Sequence, residues 1–317
     1  MAASLLLKTH DAPRMTTAYS RSSVLLAEGA VVLMALIWGI NYSVIKYGTS
    51  AMQPVAFNGV RVAMAALALL LIAVAWGGAA PARRDVFALL ALGVLGNGIY
   101  QILFAEGIAR TRAGEAALVV GGSPAIIALL GRVAGVETTT RRGILGIALS
   151  IFGVGLIVLA RANVGSGPHG GSLLGDLLVL IGSICWAVYT ILLVPYTKRL
   201  SGLWVVALSM LGGSVVLLAV GARAIAAVDW TTVSSGVWGA MLYGGLAGLV
   251  FAYILWYRGV KVLGPTRTAL FANLQPFIAL MFAWVTLGET PTAWQVTGAA
   301  TIVGGVLLTR IPASTET

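Results

Sequence analysis

The chain is one half-protein written twice. Gly121-Gly122-Ser123-Pro124-Ala125-Ile126 falls on Asn273-Leu274-Gln275-Pro276-Phe277-Ile278 when the sequence is slid by about 152 positions. The match extends both ways without a gap. Ile102-Leu103 meets Ile254-Leu255, Gly107 meets Gly259, Ala117-Leu118 meets Ala269-Leu270, and Glu137-Thr138 meets Glu289-Thr290. Gly146 meets Gly298, and Gly153-Val154 meets Gly305-Val306. Such self-similarity marks two copies of one structural unit. Each proline sits mid-way along an apolar segment, where it removes an amide donor and frees the carbonyl four residues earlier. Two halves with a helix broken at the same place imply a site between them at the bilayer midplane.

The setting is a membrane. The sequence is 59% hydrophobic and 9% charged, with mean hydropathy +0.97, against roughly 25% charged residues in soluble chains. About ten apolar stretches reach the roughly 20 residues that cross a bilayer. They lie near 24–46, 54–76, 86–109, 113–136, 143–161, 173–196, 202–222, 237–260, 265–287 and 292–310. The expected fold is an all-α integral membrane protein of ten transmembrane helices. Its organisation is a cytoplasmic tail over 1–22, a first five-helix repeat over 23–162, and an outer linker over 163–172. A second five-helix repeat over 173–310 and a cytoplasmic tail over 311–317 complete it. Leu5-Leu6-Leu7 is too short an apolar run for a signal peptide. Cys185 stands alone inside a predicted span, so it reads as a packing residue with no disulfide framework.

Lys and Arg set the orientation. With the N-terminus inside, thirteen of them fall on the cytoplasmic side, from Lys8 through Arg83, Arg141 and Lys198 to Arg310. Five fall outside, at Lys46, Arg110, Arg112, Arg161 and Arg223. This is the positive-inside pattern, with both termini cytoplasmic. The net charge of +10 is therefore a matter of topology and calls for no nucleic-acid partner. Five helices per half is an odd number, so the second repeat is inverted relative to the first.

The first helices of the two halves match at an offset near 148. Leu25-Leu26-Ala27-Glu28 falls on Leu173-Leu174-Gly175-Asp176, and Trp38 on Trp186. Aromatic residues of membrane proteins belong mostly at the interfaces, and Trp76, Trp204, Trp230, Trp238 and Trp294 sit at predicted span ends. Another set does not. Trp38, Asn41 and Tyr42 share one face of span 1. Asn97, Tyr100, Gln101 and Phe104 share a face of span 3, Trp186 and Tyr189 one of span 6, and Tyr253, Trp256 and Tyr257 one of span 8. Amides facing lipid are costly, so these faces should point inward. The competing reading is that the rings merely pack a helix bundle. Around the prolines, Gly121, Gly122, Asn273 and Gln275 offer access and hydrogen bonds to exposed carbonyls.

These features resemble the drug/metabolite transporter superfamily, EamA type. The resemblance rests on five-plus-five duplication, Trp38-Gly39 and Trp186-Ala187, Gly175-Asp176 opening span 6, and the twin prolines. Among its members the chain looks most like the YddG-type amino-acid exporters. The resemblance implies export of amino acids, other metabolites or amphipathic compounds through a central cavity lined by spans 1, 3, 4, 6, 8 and 9. Spans 5 and 10 would pack at the periphery.

The substrate-binding candidates are therefore Trp38, Asn41, Tyr42, Tyr100, Gln101, Pro124, Trp186, Tyr189, Tyr253, Trp256, Asn273, Gln275 and Pro276. Trp38, Tyr100, Trp186 and Tyr253 would meet apolar parts; Asn41, Asn273 and Gln275 would hold polar groups. Glu28, Asp176 and Arg61 are the candidates for gating or coupling. No Asp, Glu or His lies at mid-depth in any span, which favours a facilitative carrier over one with an intramembrane proton relay. Glu28 and Asp176 also suit helix N-termini, where an acid meets the helix dipole. Arg61 is the deepest charge. Glu106 or Glu115 is expected to pair with it, a substrate carboxylate being the alternative partner. Lys46 should be interfacial, and Gly146, Gly153, Gly155, Gly298, Gly304 and Gly305 should let spans 5 and 10 approach closely.

An enzyme is disfavoured. The chain carries no His-Glu-x-x-His, no Gly-x-Ser-x-Gly and no paired mid-membrane aspartates. A channel or receptor would more often show charged rings or an appended domain. No metal or cofactor is called for. The partners are a small-molecule substrate and the lipid bilayer, with the chain as a monomer or weak homodimer. A proton-coupled multidrug or nucleoside exporter is the alternative function, because aromatic lining suits many amphipathic solutes.

Overall fold

The computed structural model describes residues 20–135, 141–162, 172–263, 268 and 271–309, and among these all regular structure is helical. We number the helices α1 (Arg21–Ala51), α2 (Pro54–Trp76), α3 (Arg83–Arg110), α4 (Ala113–Val133) and α5 (Arg141–Ala162). The second half holds α6 (Leu173–Thr197), α7 (Gly202–Ala226), α8 (Ser235–Leu263), α9 (Gln275–Leu287) and α10 (Ala293–Thr309). Seven of these, α1 to α4 and α6 to α8, are long and apolar enough to cross a membrane, while α9 and α10 are shorter apolar helices. Residues 1–19 of the first tail, the whole 311–317 tail and all of the 163–172 linker but Ser172 lie outside the described residues.

Local chemistry sets the helix ends. The hydroxyls of Ser20, Ser172 and Ser234 accept from the backbone N–H of Ser23, Gly175 and Val237, capping α1, α6 and α8. Pro54 occupies the first turn of α2, where its missing donor costs nothing. Gly288, at φ +67°, ends α9 in the left-handed region that favours glycine. The Lys46 ammonium donates to the carbonyls of Ala109 (3.0 Å) and Thr111 (2.7 Å) and so closes the C-terminal end of α3.

Packing follows the duplication. Helix α2 lies along α7, and α5 along α10. Helix α1 rests on α8 and α9; in the same way α6 rests on α3 and α4. Each contact thus maps onto itself or onto another when the halves are exchanged. The α5–α10 contact uses its glycines: a Cβ on Gly153 would lie 3.0 Å from the Gly298 carbonyl, and one on Gly305 would lie 2.5 Å from that of Gly146. Gly155 faces open space, and a Cβ on Gly304 would only reach the Leu149 side chain of α5 at an ordinary 4.0 Å. Large apolar side chains such as Leu67, Leu71, Phe152, Val215 and Val285 stay exposed, as lipid-facing surface requires. Trp204 departs from expectation. It is buried beneath the Gly77-Gly78 turn rather than displayed at an interface.

Two helices carry an irregularity. Residues Val94–Ile99 of α3 and Tyr243–Phe251 of α8 are wound as π-helix, at equivalent places in the two repeats. Such widened turns interrupt the regular ladder and are frequent at functional sites. Glycines recur within or beside them at matched positions, Gly93 with Gly245 and Gly96 with Gly248.

Candidate functional site

The inward faces predicted for α1, α3, α6 and α8 do meet. Trp38 makes an edge contact with Tyr253 (ring centroids 5.6 Å apart) and a tilted one with Trp256 at 6.0 Å. Across the molecule Trp186 touches Tyr100 at 5.3 Å and Tyr189 at 5.2 Å. Tyr100 stacks on Phe104, which in turn meets Tyr42. Each cluster therefore joins one repeat to the other: α1 with α8, and α6 with α3. Tyr42 and Tyr189 are buried, whereas Trp38, Tyr100, Trp186, Tyr253 and Trp256 are half-buried. The π segments make room for this. A Cβ on Gly96 would strike the Tyr189 ring at 2.2 Å, and one on Gly248 would press on the Asn41 carboxamide at 3.2 Å. Asn41 and Tyr189 are themselves equivalent positions, at the offset of 148. The Trp38 indole N–H donates to the Gly248 carbonyl over 2.8 Å, and Tyr243 donates to the Ile37 carbonyl over 3.1 Å. Irregular winding thus brings α8 against the faces of α1 that carry Trp38 and Asn41.

Arg61 corrects an expectation. It pairs with neither Glu106 nor Glu115. Its Nε and Nη2 donate to Asn58 Oδ1, Nη2 also to Gln101 Oε1 (2.9 Å), and Nη1 to the Gly244 carbonyl (3.1 Å). Asn58 Nδ2 donates in turn to the Gln101 carbonyl over 2.7 Å. All of these groups are buried, Arg61 to 1% exposure. Glu106 is spent on an i,i+4 pair with Arg110, and Glu115 accepts from Thr111 and Gln295. The reason is geometric: both acids lie at the end of the molecule where Lys46 closes α3, while Arg61 faces the π segment of α8. The Gln101 side-chain oxygen is thus engaged by Arg61, one residue along α3 from Tyr100.

The broken helices meet at their breaks. Helix α4 is interrupted at Gly122, whose N–H turns back to the Val119 carbonyl (3.1 Å); before α9, Leu274 does the same to Phe271 (3.0 Å). The breaks thus fall two residues ahead of Pro124 and Pro276, which occupy first turns and leave no orphan of their own. A Cβ on Gly121 would lie 2.9 Å from Pro276, and one on Gly39 3.1 Å from the Gln275 carbonyl. Gln275 thus packs on α1 at the residue next to Trp38. Asn273 carries a buried Nδ2 with no hydrogen-bond partner among the described residues, and Asn41 a buried Oδ1 in the same condition.

Glu28, Asp176 and Arg61 are not brought together. Asp176 is fully buried at the start of α6 and accepts from the Thr111 hydroxyl, which also lies 3.1 Å from Glu115. Glu28 stands eighteen residues before Lys46 on one continuous helix, hence about 27 Å away along its axis. The Asp176 end is closed by further bonds between the halves. Glu289 accepts from the N–H of Ala113 and Gly114 at 3.0 and 3.2 Å, and Arg112 donates to the Thr290 carbonyl at 2.6 Å. At the other end of α3, Asp85 takes both terminal nitrogens of Arg199, at 2.6 and 2.8 Å. This pairing holds the guanidinium above its usual pKa.

Sequence reasoning overlooked Asn58, Gly244 and Glu289. Asn58 was legible, standing three residues before Arg61 on the same helical face. Gly244 contributes a backbone carbonyl from within the π segment. Glu289 showed only as a repeat-matched Glu-Thr pair. A separate shallow groove of about 350 Å³ opens between α1, α8 and α9, lined by Ile40, Val44, Tyr47 and Phe282 among others. None of Trp38, Tyr100, Trp186 and Tyr253 lines it.

Comparison with known proteins places this geometry. A model described as the EamA-like transporter family matches twice, over residues 25–159 and 173–311. The chain is 28% identical to the uncharacterized transporter YyaM of Bacillus subtilis, over 88% of this chain and 92% of that protein. It is 27% identical to a probable terminal-alkyne amino-acid exporter of Streptantibioticus cattleyicolor, over 88% and 91%. It is likewise 27% identical to the uncharacterized inner membrane transporter YedA of Escherichia coli, over 89% and 90%. A solved crystal structure shares the fold, with TM-score 0.63 and 19% identity over 92% of this chain and 97% of that one.

Proposed function

Because the chain belongs to the EamA-like transporter family, we propose that it exports small amphipathic metabolites, foremost amino acids including aromatic ones, by facilitative alternating access. The chain is a multi-pass membrane protein, and a relative matched over 90% of its length is named an inner membrane transporter. We place it in the cytoplasmic membrane, with ten spans and both termini inside. A second relative, named an amino-acid exporter, supports the substrate class.

The observation that carries this reading is the pair of aromatic clusters, each joining a helix of one half to a helix of the other. If the halves rock, these contacts must open and close, exposing ring faces to a solute. Near them stand polar groups with bonds to spare, Asn41 Oδ1 and Asn273 Nδ2. Buried polar atoms rarely go unbonded without reason, and a zwitterion needs both a donor and an acceptor. Trp38, Tyr100, Trp186 and Tyr253 would hold its apolar part. Tyr42, Tyr189 and Trp256 back those rings, while Pro124, Pro276 and Gln275 shape the breaks beside them.

Counterflow of labelled phenylalanine in liposomes, with and without a pH gradient, tests the reading. Saturable exchange that ignores the gradient is expected. A channel would show no counterflow. Gradient-driven accumulation would favour a proton-coupled exporter instead. One observation favours that second reading: Asp176, Thr111 and Glu115 form a buried polar chain at the α3–α4 turn. No exchange of any amino acid would move the substrate class to drugs or nucleosides.

A further inference from the structure

We infer that Arg61 acts as a fixed cation that makes the site select carboxylate-bearing solutes and reject cationic ones; this deepens the reading above and rests on it. Four observations converge. First, every hydrogen bond of Arg61 goes to a neutral acceptor: Asn58 Oδ1, Gln101 Oε1 or the Gly244 carbonyl. No carboxylate among the described residues stands within ion-pair distance of it. A guanidinium is not deprotonated in proteins, so its charge persists. Ionisable residues buried within membrane spans are rare and mark solute pathways or ligand sites, whether their bonds go to other charges or to backbone carbonyls.

Second, the duplicated backbone architecture does not call for it. At the offset of 148, Arg61 corresponds to Ser209. The same backbone approach occurs at both places: a Cβ on Gly245 would meet the Arg61 carbonyl at 2.9 Å, and one on Gly93 the Ser209 carbonyl at 2.0 Å. The architecture is thus served by a small neutral residue in one half, and the cation is an asymmetric addition to the other.

Third, the cation borders the aromatic row. It donates to Gln101, the residue next to Tyr100 on α3, and to the Gly244 carbonyl in the π segment whose Gly248 receives Trp38. Fourth, Asn41 is only 9% exposed, and its Oδ1, unpartnered, lies 3.3 Å from the point where a Gly244 Cβ would stand; Arg61 Cδ lies 2.7 Å and Nη1 3.5 Å from that same point. Of five guanidinium N–H groups four are engaged, leaving one on Nη1. A free N–H on a cation beside an unused amide oxygen complements an α-amino acid: the carboxylate meets Arg61, and the ammonium donates to Asn41.

The test is competition against labelled phenylalanine counterflow in proteoliposomes. The competitors are 3-phenylpropionate, which keeps only the carboxylate, and phenethylamine, which keeps only the ammonium. Wild type should be inhibited by phenylpropionate at a concentration at least about tenfold lower than by phenethylamine, as expected for one unscreened charge at close range. Arg61→Lys should keep that order; Arg61→Gln, shown folded by its thermal transition, should bring the two within about twofold. Equal inhibition of wild type by both compounds would overturn the inference without touching the proposed export. So would a folded Arg61→Gln protein that keeps the wild-type order. Absence of phenylalanine exchange by wild type is a different result and overturns the proposed function along with the inference.

Discussion

The indole N–H of Trp38 donates to the carbonyl of Gly248 over 2.8 Å, tying α1 of the first repeat to the π-wound segment of α8 in the second. A regular helix would hold that carbonyl in its own ladder. The widened turn releases it sideways, so a side chain from the other half can take it. Trp38→Phe keeps most of the ring but removes the donor. We expect a stability loss of about 1 kcal/mol, as for a single part-buried hydrogen bond, with a larger relative fall in phenylalanine counterflow. Thermal transitions and uptake rates on the same purified sample check both. Unchanged uptake would show that this bond is not part of the transport cycle.

Gly93 and Gly212 let α3 and α7 touch backbone to backbone. A Cβ on Gly93 would lie 2.0 Å from the Ser209 carbonyl, and one on Gly212 2.1 Å from that of Leu90. Neither neighbour can move without moving a helix. Alanine at either site should destabilise by about 3 kcal/mol or more. Gly155→Ala meets nothing within 4 Å and should be nearly silent. Detergent-solubilised yield and thermal transition of the three variants give the comparison.

Glu289 caps α4 from the other repeat, accepting from Ala113 and Gly114 while lying 3.9 Å from Arg112 Nε. Glu289→Ala leaves both backbone donors without their acceptor and the nearly buried Arg112 guanidinium without its ion-pair partner, at a cost of about 1–3 kcal/mol. Glu289→Gln restores one acceptor oxygen and should recover part of it. If alternating access opens this end, Glu289→Ala should also raise reactivity of a cysteine placed at Thr111. Thiol labelling before and after addition of substrate measures this.

Asp85 and Arg199 join the start of α3 to the α6–α7 turn through a bidentate pair. Because Arg199 is largely exposed, its effect on stability should be small. The raised pKa of Arg199 makes the sign clear: the contribution is full below the ordinary arginine value and is lost only as pH rises beyond it. From this group, stability and transport should be flat across neutral pH. Asp85→Asn should instead weaken with salt less than wild type does, read as the salt dependence of the thermal transition.

Much of this protein is written along the chain. Helices follow from apolar runs, because lipid leaves the backbone no other bonding partner. The twofold repetition, the break ahead of each proline, and the inward placing of Trp38, Tyr100, Trp186 and Tyr253 follow from spacing. These are local or periodic signals, readable without knowing what touches what. The pairing of Arg61 is of another kind. It depends on which helix stands opposite, and the nearest acids by depth, Glu106 and Glu115, are held at the α3–α4 turn by Arg110, Thr111 and Gln295. The π turns could not be foreseen either, since matched glycines permit such winding without requiring it. Tertiary packing chose it, and with it the carbonyls of Gly244 and Gly248 that receive Arg61 and Trp38. Sequence determined the helices and their inner faces because each residue's relation to lipid is set by its own chemistry. Only the folded structure decided the partners, because a buried polar group's energy depends on atoms brought to it from distant parts of the chain.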